Sequence, residues 1–331
     1  MGGDDYDRPV PSYSSTSYQT SGSGAKISNA SAKQVSQNRE PDPGVLVRNR
    51  KIFSDSESVV VIFIDDSGSM GEDASLLHGK MPMVVREIKG YLNKPAVCIG
   101  MIGDADGDSW PVQITDPIKI ETDQANVKAG EKIDKQMKDS LHIEKGGGGQ
   151  GNESYELAGY FVLNKCDFSK AKQVFVFFLG DEGFYPQVLS GQIQDFIGDR
   201  TEDMDSFAMW NALKKKANVF RIHRKYNGGS RSNSAIVSDW EKALGKDHVF
   251  LLDDVNAVAD LILAAIALVG AKRSKDQYLV DMKNRDQTPK RIAEVAQKIE
   301  ALSESLAMVP VNAIPARKDA GAKRASKSER L

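Results

Sequence analysis

The stretch Val59-Val60-Val61-Ile62-Phe63-Ile64-Asp65-Asp66-Ser67-Gly68-Ser69-Met70 decides the fold. Its first six residues are apolar and mostly β-branched. They predict a strand buried on both faces, as in a parallel sheet. The run then stops on two carboxylates, two hydroxyls and a glycine. A polar loop therefore follows the carboxyl end of a buried strand, which is where open α/β sheets bind ligands.

Working outward, the same apolar pattern recurs at residues 96–102 and 174–179, and in shorter form at 219–222 and 249–252. Helical patterns fall between these runs, at 80–92, 125–141, 153–163, 187–197, 206–217, 234–244 and 255–269. Strands alternating with helices predict an α/β domain, a three-layer Rossmann-like fold with a mostly parallel central sheet and helices on both faces. The stripe Met81, Val84, Val85 and Ile88 reads as the core face of the helix after the first loop.

The first and third runs end in chemically similar loops. Asp65, Ser67 and Ser69 follow the first, and Gly180-Asp181-Glu182 follows the third. Asp65, Ser67, Ser69 and Asp181 offer only hard oxygen donors, and no Cys or His stands close enough in sequence to favour zinc. Mg²⁺ takes six oxygens at about 2.0–2.1 Å and keeps several waters, which this donor set suits. Gly68 lets the backbone turn so that both serines face one point. Asp66 sits between the donors, and its side chain is expected to point away from the ion, to solvent or to a helix cap.

Asp-x-Ser-Gly-Ser-Met after an apolar strand resembles the metal-ion-dependent adhesion site (MIDAS) of von Willebrand factor A (vWA) domains. The resemblance covers about residues 55–270. It implies that Asp65, Ser67, Ser69 and Asp181 hold the metal, with Mg²⁺ expected and Mn²⁺ or Ca²⁺ as alternatives. A second loop supplies a further ligand in the family, often the Thr of Gly-Gly-Thr. Here that loop reads Gly146-Gly147-Gly148-Gly149-Gln150-Gly151-Asn152-Glu153-Ser154-Tyr155 and has no Thr. It resembles the variant in which a Glu opens the following helix, as in integrin β subunits. This makes Glu153 the candidate ligand, with Gln150 or Asn152 behind it. The family also implies an antiparallel edge strand, matched here by Val112-Gln113-Ile114.

Further pieces resemble a bacterial and phage-type branch of vWA proteins. They are Gly103-Asp104-Ala105-Asp106-Gly107-Asp108, the helix start Glu153-Ser154-Tyr155-Glu156-Leu157-Ala158, and Gly180-Asp181-Glu182 followed by Tyr185-Pro186. Such proteins resemble partners or adaptors of MoxR-type AAA ATPases. The implied function is a metal-dependent protein–protein interaction module. A protein partner offering an Asp or Glu would complete the metal shell. No obvious general base is expected at hydrogen-bond reach of the loops, so the expectation is a binding protein and not an enzyme. His223 and His248 lie in or beside strands and read as structural. His78 is near the first loop in sequence.

Rival readings fail on spacing. A haloacid-dehalogenase phosphotransferase needs a second Asp two residues after its nucleophile, but Ser67 and Gly68 stand at those places. A P-loop needs Gly-Lys-Ser/Thr after its glycines, and none follows Gly151. An EF-hand loop starting at Asp104 needs Gly sixth and Glu twelfth, where Ser109 and Thr115 stand. A metal-free structural or assembly subunit, making its contacts through the fold and the tails, stays open.

Residues 1–45 are rich in Ser, Gly, Tyr, Gln and Asn and read as a disordered tail. The vWA-like domain is expected over 46–272 and a helical extension over 273–310. Within the extension, one amphipathic helix at 289–308 would carry Ile292, Val295, Ile299, Leu302 and Leu306 on one face. Residues 311–331 hold six basic against two acidic residues and read as a disordered basic tail. The formal net charge is −2, so nucleic acid and anionic membrane are not expected partners. The longest apolar run near the end, 261–271, is too short to span a bilayer, which takes about 20 residues. No secretory signal is visible, and two isolated cysteines, Cys98 and Cys166, make no disulfide framework. Both features predict a cytoplasmic location.

Overall fold

A computed structural model describes residues 41–70, 72–120, 151–225 and 231–308, together with Glu131, Lys132, Lys135 and Leu141. The expected tails therefore lie outside the described residues, apart from a few residues at 41–45. So does nearly all of the expected helix at 125–141.

Among the described residues the central sheet has seven strands, of which Ile118–Lys119 is the shortest and the other six are β1 (Ser58–Asp65), β2 (Pro95–Ile102), β3 (Val112–Ile114), β4 (Gln173–Gly180), β5 (Asn218–Arg224) and β6 (Val249–Leu252). Their order across the sheet is β6-β5-β4-β1-β2-β3. All neighbours run parallel except β3, which pairs antiparallel with β2, as does Ile118–Lys119 further along the same edge. The three long and two shorter apolar runs all become strands, and 112–114 is the antiparallel edge.

All eight residues of β1 are buried. A strand in that position must be apolar on both faces, which explains its unbroken apolar run. Val60, Ile62 and Ile64 pack into one core with α1 (Glu72–Glu87) and α5 (Val258–Ala265). Val59, Val61 and Phe63 pack into a second core with α2 (Tyr155–Lys165), α3 (Ser206–Lys214) and α4 (Asn233–Leu244). Met81, Val84, Val85 and Ile88 are fully buried in the first core, as their spacing predicts.

Several expected helices differ in detail, and the one expected at 80–92 spans Glu72–Glu87 and ends in a 3-10 turn over Ile88–Gly90. Residues 187–197 start as a two-residue strand, Gln187–Val188, paired with Met204–Asp205. They continue as one turn that widens to a π-turn over Ile193–Ile197. Gly198 ends this segment at φ 91°, in the left-handed region where glycine is favoured. The helix expected at 255–269 begins as a 3-10 turn and ends as a π-turn over Ile266–Gly270. The single helix expected at 289–308 is two, α7 (Pro289–Lys298) and α8 (Glu300–Met308), preceded by α6 (Lys275–Asn284). Val295, Ile299 and Leu302 stay buried in the first core across the break at Ile299. Among the described residues, no helix is long and apolar enough to cross a membrane.

Phe63 stacks on Phe178 with ring centres 5.5 Å apart. The space for Phe63 exists because β2 carries Gly100. A Cβ there would lie 2.4 Å from the ring and 2.6 Å from the Gln113 carbonyl oxygen. Gly100→Ala is therefore expected to cost about 1–3 kcal/mol, read as a fall in the urea midpoint at unchanged slope. A loss below about 0.5 kcal/mol would mean that the ring shifts freely and the close packing is not required.

Candidate metal centre

The strand order reverses between β1 and β4. In open α/β sheets the crevice outside the carboxyl ends at such a switch point is the ligand site. Asp65 is the last residue of β1, and Asp181 follows the last residue of β4. The fold thus brings the first and third loops side by side.

Within the first loop, the Ser67 N–H donates to Asp65 Oδ1 at 2.9 Å and holds the turn. The Ser69 hydroxyl donates to Asp181 Oδ1 at 2.9 Å. Ser67 Oγ and Ser69 Oγ are 2.9 Å apart. Either hydroxyl can be the donor between them. Four of the expected site residues therefore form one connected group across two loops.

Glu153 also comes close, by an unexpected route. It does not open the helix. Asn152–Glu153 is a short strand paired parallel with Gly183–Phe184, and α2 begins only at Tyr155. This pairing ties the second loop to the third. Asn152 is less available as a ligand, since its Oδ1 accepts from Arg231, which also binds Asp239. Gly183 leaves room for that arginine, whose Nη1 would lie 2.5 Å from a Cβ there. Gln150 lies outside the described residues.

The electrostatics are one-sided. Burial raises the Asp181 carboxyl above its ordinary range, and Asp65 raises it further; the Ser69 hydrogen bond and Arg221 pull it back. Burial, then Asp65 and Asp181, push Glu182 up to about 8. Glu153 is raised by burial and by Asp65, Glu182, Asp104 and Asp108. Glu153 Oε2 and Glu182 Oε2 are buried with no hydrogen-bond partner. Such acceptors, next to other carboxylates, leave negative charge that a cation would offset. The donors are all hard oxygens, which fits Mg²⁺, Mn²⁺ or Ca²⁺. Among the described residues, no three His, Cys, Asp or Glu side chains are grouped closely enough to hold an ion by themselves. A shell here needs the serine hydroxyls and water.

Asp66 corrects an expectation. It is buried, and its backbone N–H donates to the Ile102 carbonyl. Its Oδ1 would lie 3.5 Å from a Cβ at Gly103, so the side chain faces the neighbouring loop and not solvent. That loop uses its own carboxylates. Asp104 accepts from the Tyr185 hydroxyl through both oxygens and from the Asp106 N–H, while Asp108 Oδ2 accepts from the Asp104 N–H. The polar-loop reading of 103–108 matches these bonds. The His78 side chain lies outside the described residues. His223 is buried, its Nε2 is 3.0 Å from Asn233 Oδ1, and burial with Arg221 lowers its pKa to about 3.

The residue that sequence reasoning missed is Tyr155. Its hydroxyl donates to Asp65 Oδ2, so both oxygens of Asp65 are held. Gly180 makes this possible, since a Cβ there would lie 2.0 Å from the Tyr155 hydroxyl. Arg221 and Trp240 pack around the Tyr155 ring.

The strand order, the antiparallel edge strand and the hydroxyl-bearing loop at the switch point make an α/β domain with a mostly parallel sheet, the fold that the vWA resemblance implies. Solved structures that the chain is similar to include the pilus adhesin SpaC from Lactobacillus rhamnosus GG in its open conformation. The identity is 14% and the TM-score 0.44, over 70% of this chain and 31% of that one. A von Willebrand factor type A structure from Catenulispora acidiphila is 16% identical at TM-score 0.39, over 64% and 42%. Proximal thread matrix protein 1 from the mussel byssus, with a zinc-occupied MIDAS motif, is 12% identical at TM-score 0.39, over 67% and 47%. The chain thus spans less than half the length of each. No protein-family model and no curated protein matches it.

The raised carboxyls fix a pH dependence. A carboxyl whose folded pKa exceeds its unfolded value favours the folded state at low pH, and that stability is lost as pH rises through the folded pKa. In EDTA the domain is expected to lose stability as pH climbs from the ordinary glutamate value of 4.5 to the Glu182 value of about 8. Saturating Mg²⁺ or Mn²⁺ is expected to flatten that fall. Melting temperatures across this window, with and without metal, check it; parallel curves would contradict a cation at this cluster.

Proposed function

We propose that this chain is a metal-dependent protein–protein interaction module, with Mg²⁺ held by Asp65, Ser67, Ser69, Asp181 and Glu153. The observation that supports it most is the hydroxyl–carboxylate chain from Ser67 through Ser69 to Asp181 at the switch point, beside buried carboxylate oxygens without donors. A bound divalent cation would supply a positive centre for an acidic side chain of the partner. The protein's part is to hold its oxygens in place beforehand. Ser67 N–H and Tyr155 O–H orient Asp65, and the strand pair Asn152–Glu153 with Gly183–Phe184 fixes the second loop against the third.

The partner in this reading is a protein offering an Asp or Glu. An AAA ATPase of the MoxR type is the specific candidate, on the strength of the sequence resemblance alone. Binding is favoured over catalysis because, among the described residues, the histidine beside Gly180 in the sheet, His223, is buried, hydrogen-bonded and held neutral. Cys98 and Cys166 are both unpaired, which agrees with a cytoplasmic location. The second reading is a metal-free assembly subunit. It draws on the fact that the hydroxyl chain already satisfies Ser67 and Ser69 with no ion.

Calorimetric titration of Mg²⁺ into EDTA-stripped protein separates the two readings. Wild type is expected to bind at one saturable site, and Asp65→Ala to bind at least about tenfold more weakly while melting as a folded domain. Glu153→Ala is expected to weaken binding more than Gln150→Ala. Silence of the wild type toward both Mg²⁺ and Mn²⁺ would favour the assembly subunit. Equal small losses from both second-loop variants would limit that loop to water-mediated contacts.

A further inference from the structure

Arg221 stands in the middle of β5 and is fully buried. Strand alternation sends Phe220 and Ile222 to one core and Arg221 to the other face, among Phe178, Tyr155 and Trp240. Its guanidinium carbon lies 4.3 Å from the centre of the Tyr155 ring and 4.7 Å from that of Trp240. Nη2 donates to the Glu182 carbonyl at 3.0 Å, and Trp240 Nε1 donates to the same oxygen at 3.1 Å. Nε and Nη1 have no hydrogen-bond partner. Among the described residues, no carboxylate forms an ion pair with Arg221.

A buried cation without a paired carboxylate is costly. Two aromatic faces offset part of that cost. The rest of the compensation lies on the far side of Tyr155. The ring presents its face to the guanidinium and its hydroxyl to Asp65, and Gly180 leaves the space for this contact. Beyond Asp65 stand Asp181 and Glu182, whose own carbonyl Arg221 holds. A core filled only for packing would place an apolar side chain here. A guanidinium at this position makes sense against a concentration of negative charge.

We propose that Arg221 is a built-in counter-charge for the acidic centre, coupled to it through Tyr155, which keeps the Asp65 and Asp181–Glu182 loops in place when the metal ion is absent. Both are positioning residues: Arg221 steadies the loops, and Tyr155 orients Asp65. The Tyr155 role rests on the metal-centre reading, whereas the counter-charge role is testable without metal.

The test is a double-mutant cycle in EDTA, by urea denaturation of wild type, Arg221→Met, Asp65→Asn and the double variant. The destabilisation caused by Arg221→Met is expected to fall by at least about half in the Asp65→Asn background, since less negative charge then needs offsetting. Additive losses would overturn the proposal. Should Arg221→Met not fold, Arg221→Lys and Arg221→Gln give the same contrast of charged against neutral. Lys is expected to be the more stable, and its advantage should shrink with Asp65→Asn; an advantage that persists undiminished overturns the proposal too. Separately, Tyr155→Phe is expected to weaken Mn²⁺ binding about tenfold, as losses of ligand-orienting partners do. Unchanged affinity would remove the Tyr155 role. A wild type that binds no Mn²⁺ would fail the metal-centre reading and with it the Tyr155 role, and leave the Arg221 cycle decisive by itself.

Discussion

Asp65 is the constraint on which the centre depends. It is a carboxylate at the end of a strand buried on both faces, so its charge sits where water cannot solvate it freely. The chain answers locally with the Ser67 N–H and from a distance with the Tyr155 hydroxyl. Each answer imposes a further requirement. The serine contact fixes the turn that presents Ser67 and Ser69. The tyrosine contact needs a glycine at position 180, and places a ring between Asp65 and Arg221.

The sheet makes this economy possible. A parallel sheet covered on both faces delivers its loops to one edge, and the order reversal between β1 and β4 puts two acidic loops next to each other. Those loops would repel each other through Asp65, Asp181 and Glu182. Serine hydroxyls, backbone donors and a buried guanidinium reduce that repulsion, and the unpartnered oxygens of Glu153 and Glu182 show that it is not fully met within the protein. The proposed cation at the same place would offset the remainder.

Much of this was legible in the sequence, and the limits have identifiable causes. The apolar runs predicted the strands because burial on both faces leaves no alternation to misread. Asp65, Ser67, Ser69 and Asp181 were legible because each sits within a few residues of a strand end. Tyr155 was not, because its partner lies 90 residues away and a tyrosine in an apolar helix start reads as core. The requirement that a buried phenol find an acceptor was the available signal. Glu153 was placed on a helix because local pattern cannot register a two-residue strand whose partner is Gly183–Phe184. The Ile299 break was hidden because both helices keep the same buried face. Asp66 looked like a surface residue by type, yet tertiary packing against the Gly103 loop buries it.

The most direct measurement is anomalous diffraction from crystals grown with Mn²⁺, because it locates the ion without reference to any partner. The account predicts one strong peak in contact with the Ser67 and Ser69 hydroxyls, beside Asp65 and Asp181. A peak confined to the Asp104–Asp108 loop, or none at saturating Mn²⁺, would contradict it.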